Sequence, residues 1–160
     1  MEIPQGITVR VDGSVVVVKG PQGEVSRQLG KGVSVKVGAG GVEVECADKA
    51  VRGTTEAVIR NMVAGAAGGY TKNLKLLHAH FPITIEVKGN DITIKNFLGE
   101  KQPRKTKLIG NTKVVAKGQA VTVSGPDKEA VGQTVANIRS AMRIRDKDGR
   151  IFQDGLYDAE

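Results

Sequence analysis

At 160 residues the chain can hold one domain or two small ones. Its formal net charge is +7, with 21 glycines, one cysteine and no tryptophan; a lone cysteine excludes an internal disulfide and a cysteine-built metal site, and the basic surplus favours a polyanion, nucleic acid before an acidic membrane surface. The opening MEIPQGITVR has no charged n-region and no apolar h-region, and the longest apolar run, MVAGAAGG, is too short to span a bilayer, so a soluble intracellular protein is expected.

Ile7, Val9 and Val11 alternate with polar residues, the period of a half-buried strand. Asp12-Gly13-Ser14 then turns the chain into a return strand over 15–19, because glycine accepts a positive φ. Val33, Val35 and Val37, followed by Val42 and Val44, predict a second hairpin around Gly38-Ala39-Gly40-Gly41. Cys46 closes an alternating strand and reads as a buried, inert thiol. Asp48 fits a helix N-cap, where its carboxylate accepts from free backbone N–H groups. In the helix it starts, Val51, Thr55, Val58, Ile59, Met62 and Val63 share one face, and Arg52, Glu56 and Arg60 are spaced to pair on another. GAAGGYTKN ends that helix, and LKLLHAHF reads as the connection into the second half of the chain. Ile83, Ile85 and Val87, a KGND turn, Ile92 and Ile94 predict a further hairpin, with another strand at Val121 and Val123. A second helix starts after Pro126-Asp127 and presents Val131, Val135, Ile138 and Met142 as its apolar stripe.

These elements are written twice. ITVRVDGSVVVVKGPQGE (7–24) lies over ITIEVKGNDITIKNFLGE (83–100) at an offset of 76, and VEVECADKAVRGTTEAVIR (42–60) over VTVSGPDKEAVGQTVANIR (121–139) at an offset of 79. One loop of the second half is therefore three residues longer. Two matches in the same order at nearly one offset indicate duplication. The expected fold is α+β: two tandem repeats, 1–79 and 80–160, each a small, mainly antiparallel sheet packed on one helix.

The cations are not spread evenly within the second half. Between Lys95 and Lys117 seven lysines and arginines face Glu100 alone, and Arg139, Arg143, Arg145, Lys147 and Arg150 outnumber Asp146 and Asp148. Both stretches read as loops or element ends, where binding residues concentrate, and the matching first-half segment GPQGEVSRQLGKG is far less basic. His78 and His80 form an H-x-H pair with no neighbouring acid or cysteine to complete a metal site. No nucleophile–base pair, phosphate loop or dinucleotide fingerprint is present, so neither catalysis nor a cofactor is expected. Two other readings are a protein- or single-strand-binding module, which calls for aromatic platforms on its sheets, and an enzyme, which calls for a polar constellation between the repeats. Phe152 and Tyr157 read either as rings that pack the tail onto the second sheet or as RNA-stacking groups beside Arg150.

The segments HFP, NFLGEKQPRKT, VTVSGPDKEAVGQTVANIR and RIRDKDGRIFQDGLY resemble, in order and spacing, the large-subunit ribosomal protein six family in its archaeal and eukaryotic form. The resemblance is close over His80 to Tyr157 and looser before it, where the HAHFP junction carries it. It implies a duplicated fold and a cytoplasmic, structural place in the large ribosomal subunit. It also implies binding of large-subunit rRNA near the base of the acidic stalk and the sarcin–ricin loop. Expected partners are that RNA, neighbouring large-subunit proteins including those of the stalk base, and the translation elongation factors that dock there. The family pattern places RNA contact on Lys101, Arg104, Lys105 and Lys107, and on Arg143, Arg145, Lys147, Arg150, Phe152 and Gln153. Past Tyr157 this sequence reads Asp158-Ala159-Glu160, where family members usually continue with apolar and basic residues.

Overall fold

The computed structural model describes residues 4–38 and 41–159. The chain forms two compact units, one running to Tyr70 and including Pro126–Lys128, the other comprising Thr71–Gly125 and the residues from Glu129 onward.

In the first unit, β1 (Thr8–Asp12), β2 (Val15–Gly20) and β3 (Gly23–Gln28) form an antiparallel sheet in that order. Val9 opposes Val18 and Val18 opposes Val25, so the alternation seen in the sequence becomes one apolar face. β4 (Val33–Gly38) and β5 (Gly41–Cys46) form the second hairpin. The tip of that hairpin, residues 39 and 40, lies outside the described residues. Cys46 is free and half-buried at the strand end. The helix α1 (Lys49–Gly68) begins where its cap predicts: the Asp48 carboxylate accepts from the Ala50 N–H at 2.8 Å. It stops at Gly69, whose φ of 73° suits glycine. Arg52 and Glu56 pair along it at 3.2 Å.

Val16, Val18, Val25, Val42, Ile59, Met62, Val63 and Ala66 make the core of this unit. Val51 is the member of the predicted apolar face that stays out of it, being exposed. It borders an open groove of about 340 Å³, lined also by Val16, Leu29, Val58, Ile59 and Met62. The sheet comes close to α1 at Gly20, where a Cβ would lie 2.5 Å from the Ala66 carbonyl oxygen, the same oxygen that accepts from Gln22 N–H at 3.1 Å. Gly20→Ala is therefore expected to cost about 1–3 kcal/mol, as overpacking against backbone does. Chemical denaturation of the variant checks this.

The second unit repeats the plan and adds two strands. β6 (Tyr70–Leu77) follows α1; β7 (Thr84–Lys88), β8 (Asp91–Lys95) and β9 (Arg104–Lys107) form one antiparallel sheet; β10 (Lys113–Lys117) and β11 (Ala120–Gly125) form the next hairpin. The helix α2 (Lys128–Ala141) precedes β12 (Gly155–Asp158), and the larger sheet has the order β10-β11-β6-β12. Leu74, Leu76, Ile92, Ile94, Phe97, Val121, Val123, Val131, Val135, Ile138, Met142 and Leu156 are buried. The fold is thus α+β and duplicated, as the internal repeat predicts. The repeat extends to single bonds: Leu29 N–H donates to Ser14 O at 2.7 Å, and Leu108 N–H to Asn90 O at 2.9 Å.

Three segments differ from the reading of the sequence. Gly23–Gln28 and Arg104–Lys107 are strands, not loops; their outward positions are polar, which hides a period of two in so short a run. LKLLHAHF is only partly a connection, because Leu74 and Leu76 belong to β6 and are buried in the larger sheet. The hairpin registers also locate the three extra residues. Val18 opposes Val25, seven positions on, whereas Ile94 opposes Arg104, ten on, so the longer loop is the one joining β8 to β9.

Candidate nucleic-acid interface

The longer loop is a built structure. Phe97 is 1% exposed and plugs it into the core. Asn96 (φ 58°) and Leu98 (φ 51°) both adopt the left-handed conformation, which an L side chain such as leucine rarely takes. The Asn96 amide donates to Pro82 O at 3.0 Å and holds the bend.

β9 then sorts its side chains by the pleat. Arg104 and Thr106 lie opposite Ile94 and Ile92 and are half-buried. Lys105 and Lys107 point the other way and are exposed. Arg104 lies over the Phe97 ring, 4.5 Å from its centroid. Its guanidinium donates to both Glu100 carboxylate oxygens, at 2.8 and 2.5 Å. It also donates to Ala141 O at 2.8 Å and Arg143 O at 3.0 Å. Ala141 is the last residue of α2, so a fixed cation faces the negative end of that helix. The hydrogen bonds from Arg104 hold the Glu100 carboxyl below the usual glutamate range. The arginine expected to touch RNA is thus committed within the fold, where it ties β9 to the chain that leaves α2.

This tie brings the two cationic stretches of the sequence together. Lys101 and Lys105 lie on either side of Arg104 in the sequence, and Arg143, whose carbonyl Arg104 holds, belongs to the other stretch. Lys101, Lys105, Lys107, Arg143 and Arg145 are all exposed. Among the described residues none of these five has an ion-pair partner. Lys95 differs, since its ammonium is 2.6 Å from Glu86 on the outer face of β8 and β7.

The remaining predicted contacts are partly used by the loop itself. Arg150 pairs with Asp148 at 3.1 Å, and its hydrogen bonds lower the Asp148 carboxyl from its ordinary value. Gln153 donates to Arg150 O at 3.3 Å. Phe152 is half-buried, with the Lys147 ammonium 4.9 Å from its ring centroid and the His80 ring stacked on it at 4.9 Å. Tyr157 lies in β12, which pairs with β6 from Gly155↔Leu77 to Asp158↔Leu74. Its hydroxyl donates to Gln153 O at 3.2 Å. Asp158 receives Arg139 at 2.7 Å and Lys72 at 3.0 Å, and both hydrogen bonds lower its carboxyl below the usual aspartate range.

Two residues have no signal in the sequence for the place they take. Asp154 is buried, accepts from Ala79 N–H at 3.0 Å and lies 3.7 Å from His80 Nδ1. In sequence His80 stands only as half of an H-x-H pair. Among the described residues no group of three or more metal-ligating side chains forms, and no helix is long and apolar enough to cross a membrane.

The comparison with known proteins follows the same outline. The model of the ribosomal protein L6 family matches residues 3–69 and 81–155, one match for each repeat. The chain is 44% identical to the large ribosomal subunit protein uL6 of Methanocella arvoryzae, over 98% of this chain and 93% of that protein. It is 44% identical to that of Methanobrevibacter smithii (98% and 92%) and 42% identical to that of Aeropyrum pernix (98% and 90%). With both repeats matched and relatives alike over nearly their whole length, the chain belongs to the ribosomal protein L6 family.

Proposed function

We propose that the chain is a structural, non-catalytic component of the cytoplasmic large ribosomal subunit and binds large-subunit rRNA through its second unit. The contact rests on Lys101, Lys105, Lys107, Arg143 and Arg145, with Lys147 and Arg150 at its border. The region served is the base of the acidic stalk and the sarcin–ricin loop, where the protein supports the docking of translation elongation factors. Neighbouring large-subunit proteins, those of the stalk base among them, are its protein partners. The division of labour follows the repeats: 80–160 carries the main RNA contact, and 1–79 holds the matching shell without the cationic rim.

One observation carries this reading. Arg104 bonds the backbone of Arg143 and so joins β9, which carries Lys105 and Lys107, to the segment of Arg143 and Arg145; these four and Lys101 are exposed and, among the described residues, without an ion-pair partner. Cations held this way neutralise phosphates and release counterions, and the shape of an A-form helix presents its backbone rather than its base edges. The test is binding of the full chain to a large-subunit rRNA fragment containing the sarcin–ricin loop, titrated from 50 to 200 mM salt. Five phosphate contacts predict a log–log salt slope of roughly −4 to −5. A flat slope, or equal affinity for a small-subunit RNA of the same length, would sink the reading.

A further inference from the structure

His80 lies between β6 and β7 with its side chain 40% exposed, and it is held from two sides. Its ring is stacked on Phe152 at 4.9 Å with an interplanar angle of 28°. Its Nδ1 faces Asp154 Oδ1 at 3.7 Å. Asp154 is 2% exposed, and its second oxygen is buried without a hydrogen-bond partner among the described residues. The ring is held by its stack on Phe152, and Nε2 is the nitrogen that does not face Asp154. Phe152 is half-buried and already covered by His80 and by the Lys147 ammonium. The accessible aromatic of this cluster is the histidine.

We propose that His80, rather than Phe152, is the platform on which the protein stacks one unpaired RNA base. This rests on the RNA-binding reading above. The chemistry suits that ligand. A planar ring stacked on Phe152 offers its other π-face to a base, the Lys147 ammonium beside Phe152 suits a flanking phosphate, and Nε2 can hydrogen-bond a base edge or a 2′-hydroxyl. Bases inside a duplex are stacked on their neighbours and cannot reach such a face, so the ligand is a looped-out or single-stranded nucleotide.

The experiment uses the full chain and the same large-subunit rRNA fragment, with binding curves across salt and chemical probing of the bound RNA. His80→Ala is expected to weaken binding about tenfold, within the range of alanine substitutions at stacking aromatics. The salt slope should stay unchanged, because every cation that neutralises a phosphate is still present. His80→Phe, which keeps the ring, should bind within about threefold of the wild type. One unpaired nucleotide protected by the wild type should become reactive with His80→Ala while the rest of the footprint persists. Thermal melts of both variants, with His80→Gln as a second non-aromatic replacement, separate loss of the platform from loss of fold. The proposal is overturned if His80→Ala and His80→Gln bind as the wild type does, or if His80→Phe is as weak as His80→Ala at equal stability. A wild-type protein that fails to bind the fragment overturns the RNA-binding reading itself, and the platform with it.

Discussion

Arg104→Ala is expected to destabilise the second unit by about 1–3 kcal/mol, the scale for losing several charge-assisted hydrogen bonds at a half-buried site. The side chain is only 26% exposed and makes four hydrogen bonds, two to Glu100 and two to the carbonyls of Ala141 and Arg143. Its loss strands the Glu100 carboxylate, uncaps α2 and uncovers Phe97, which lies beneath it. Lysine should rescue little, because a point charge cannot serve a bidentate acid and two carbonyls together. Lys105→Ala, one residue on and exposed, should change stability by less than about 0.5 kcal/mol. Denaturant melts of the three variants check the ordering. The pH dependence gives a second readout. The Glu100 carboxyl is lowered in the folded state, so the unfolded state binds more protons in acid. The stabilisation is complete above the ordinary glutamate range and fades as pH falls through the lowered value. Arg104→Ala should remove that portion of the acid sensitivity.

The second large effect is on RNA. Replacing Lys101, Lys105 and Lys107 together by alanine should reduce the salt slope by about 2–3 units, close to 0.9 for each phosphate no longer neutralised. With an unchanged intercept at 1 M salt, affinity at 0.1 M falls by roughly 10²- to 10³-fold. The melting temperature should hardly move, since all three side chains are exposed and have no ion-pair partner among the described residues. Arg104→Ala and the triple lysine variant are thus opposite controls, one acting on folding and the other on binding. Equal salt slopes for the wild type and the triple variant would remove β9 from the interface.

Much of this architecture is legible along the chain. The duplication shows because identities at Val42, Asp48, Thr55 and Ile59 recur together at one offset. Both helix starts show because an aspartate precedes each in the sequence, and the Asp48 cap of α1 is a local device. The hairpins with valine or isoleucine at every second position show for the same reason, since their period needs no partner to be read. β6 and β12 are different. They pair Leu77 with Gly155, far apart in sequence, and neither carries a turn that announces the other. β9 is four residues of RKTK, and its composition alone says only that it is basic. Once it is known to be a strand, its period of two separates Arg104 and Thr106 from Lys105 and Lys107.

The sequence by itself determined the doubled α+β plan, the family and the concentration of cations in the second repeat, because periodicity, caps and charge are properties of neighbouring residues. Which cations remain free was decided only in three dimensions. Arg104 and Lys105 are adjacent and alike in charge, yet one is spent on Glu100 and the end of α2 while the other faces solvent. His80 is stacked on Phe152 and lies beside Asp154 because folding brought together residues more than seventy positions apart. The physical reason is common to both cases: a side chain's availability depends on the partners that distant segments bring to it, and no local pattern records them.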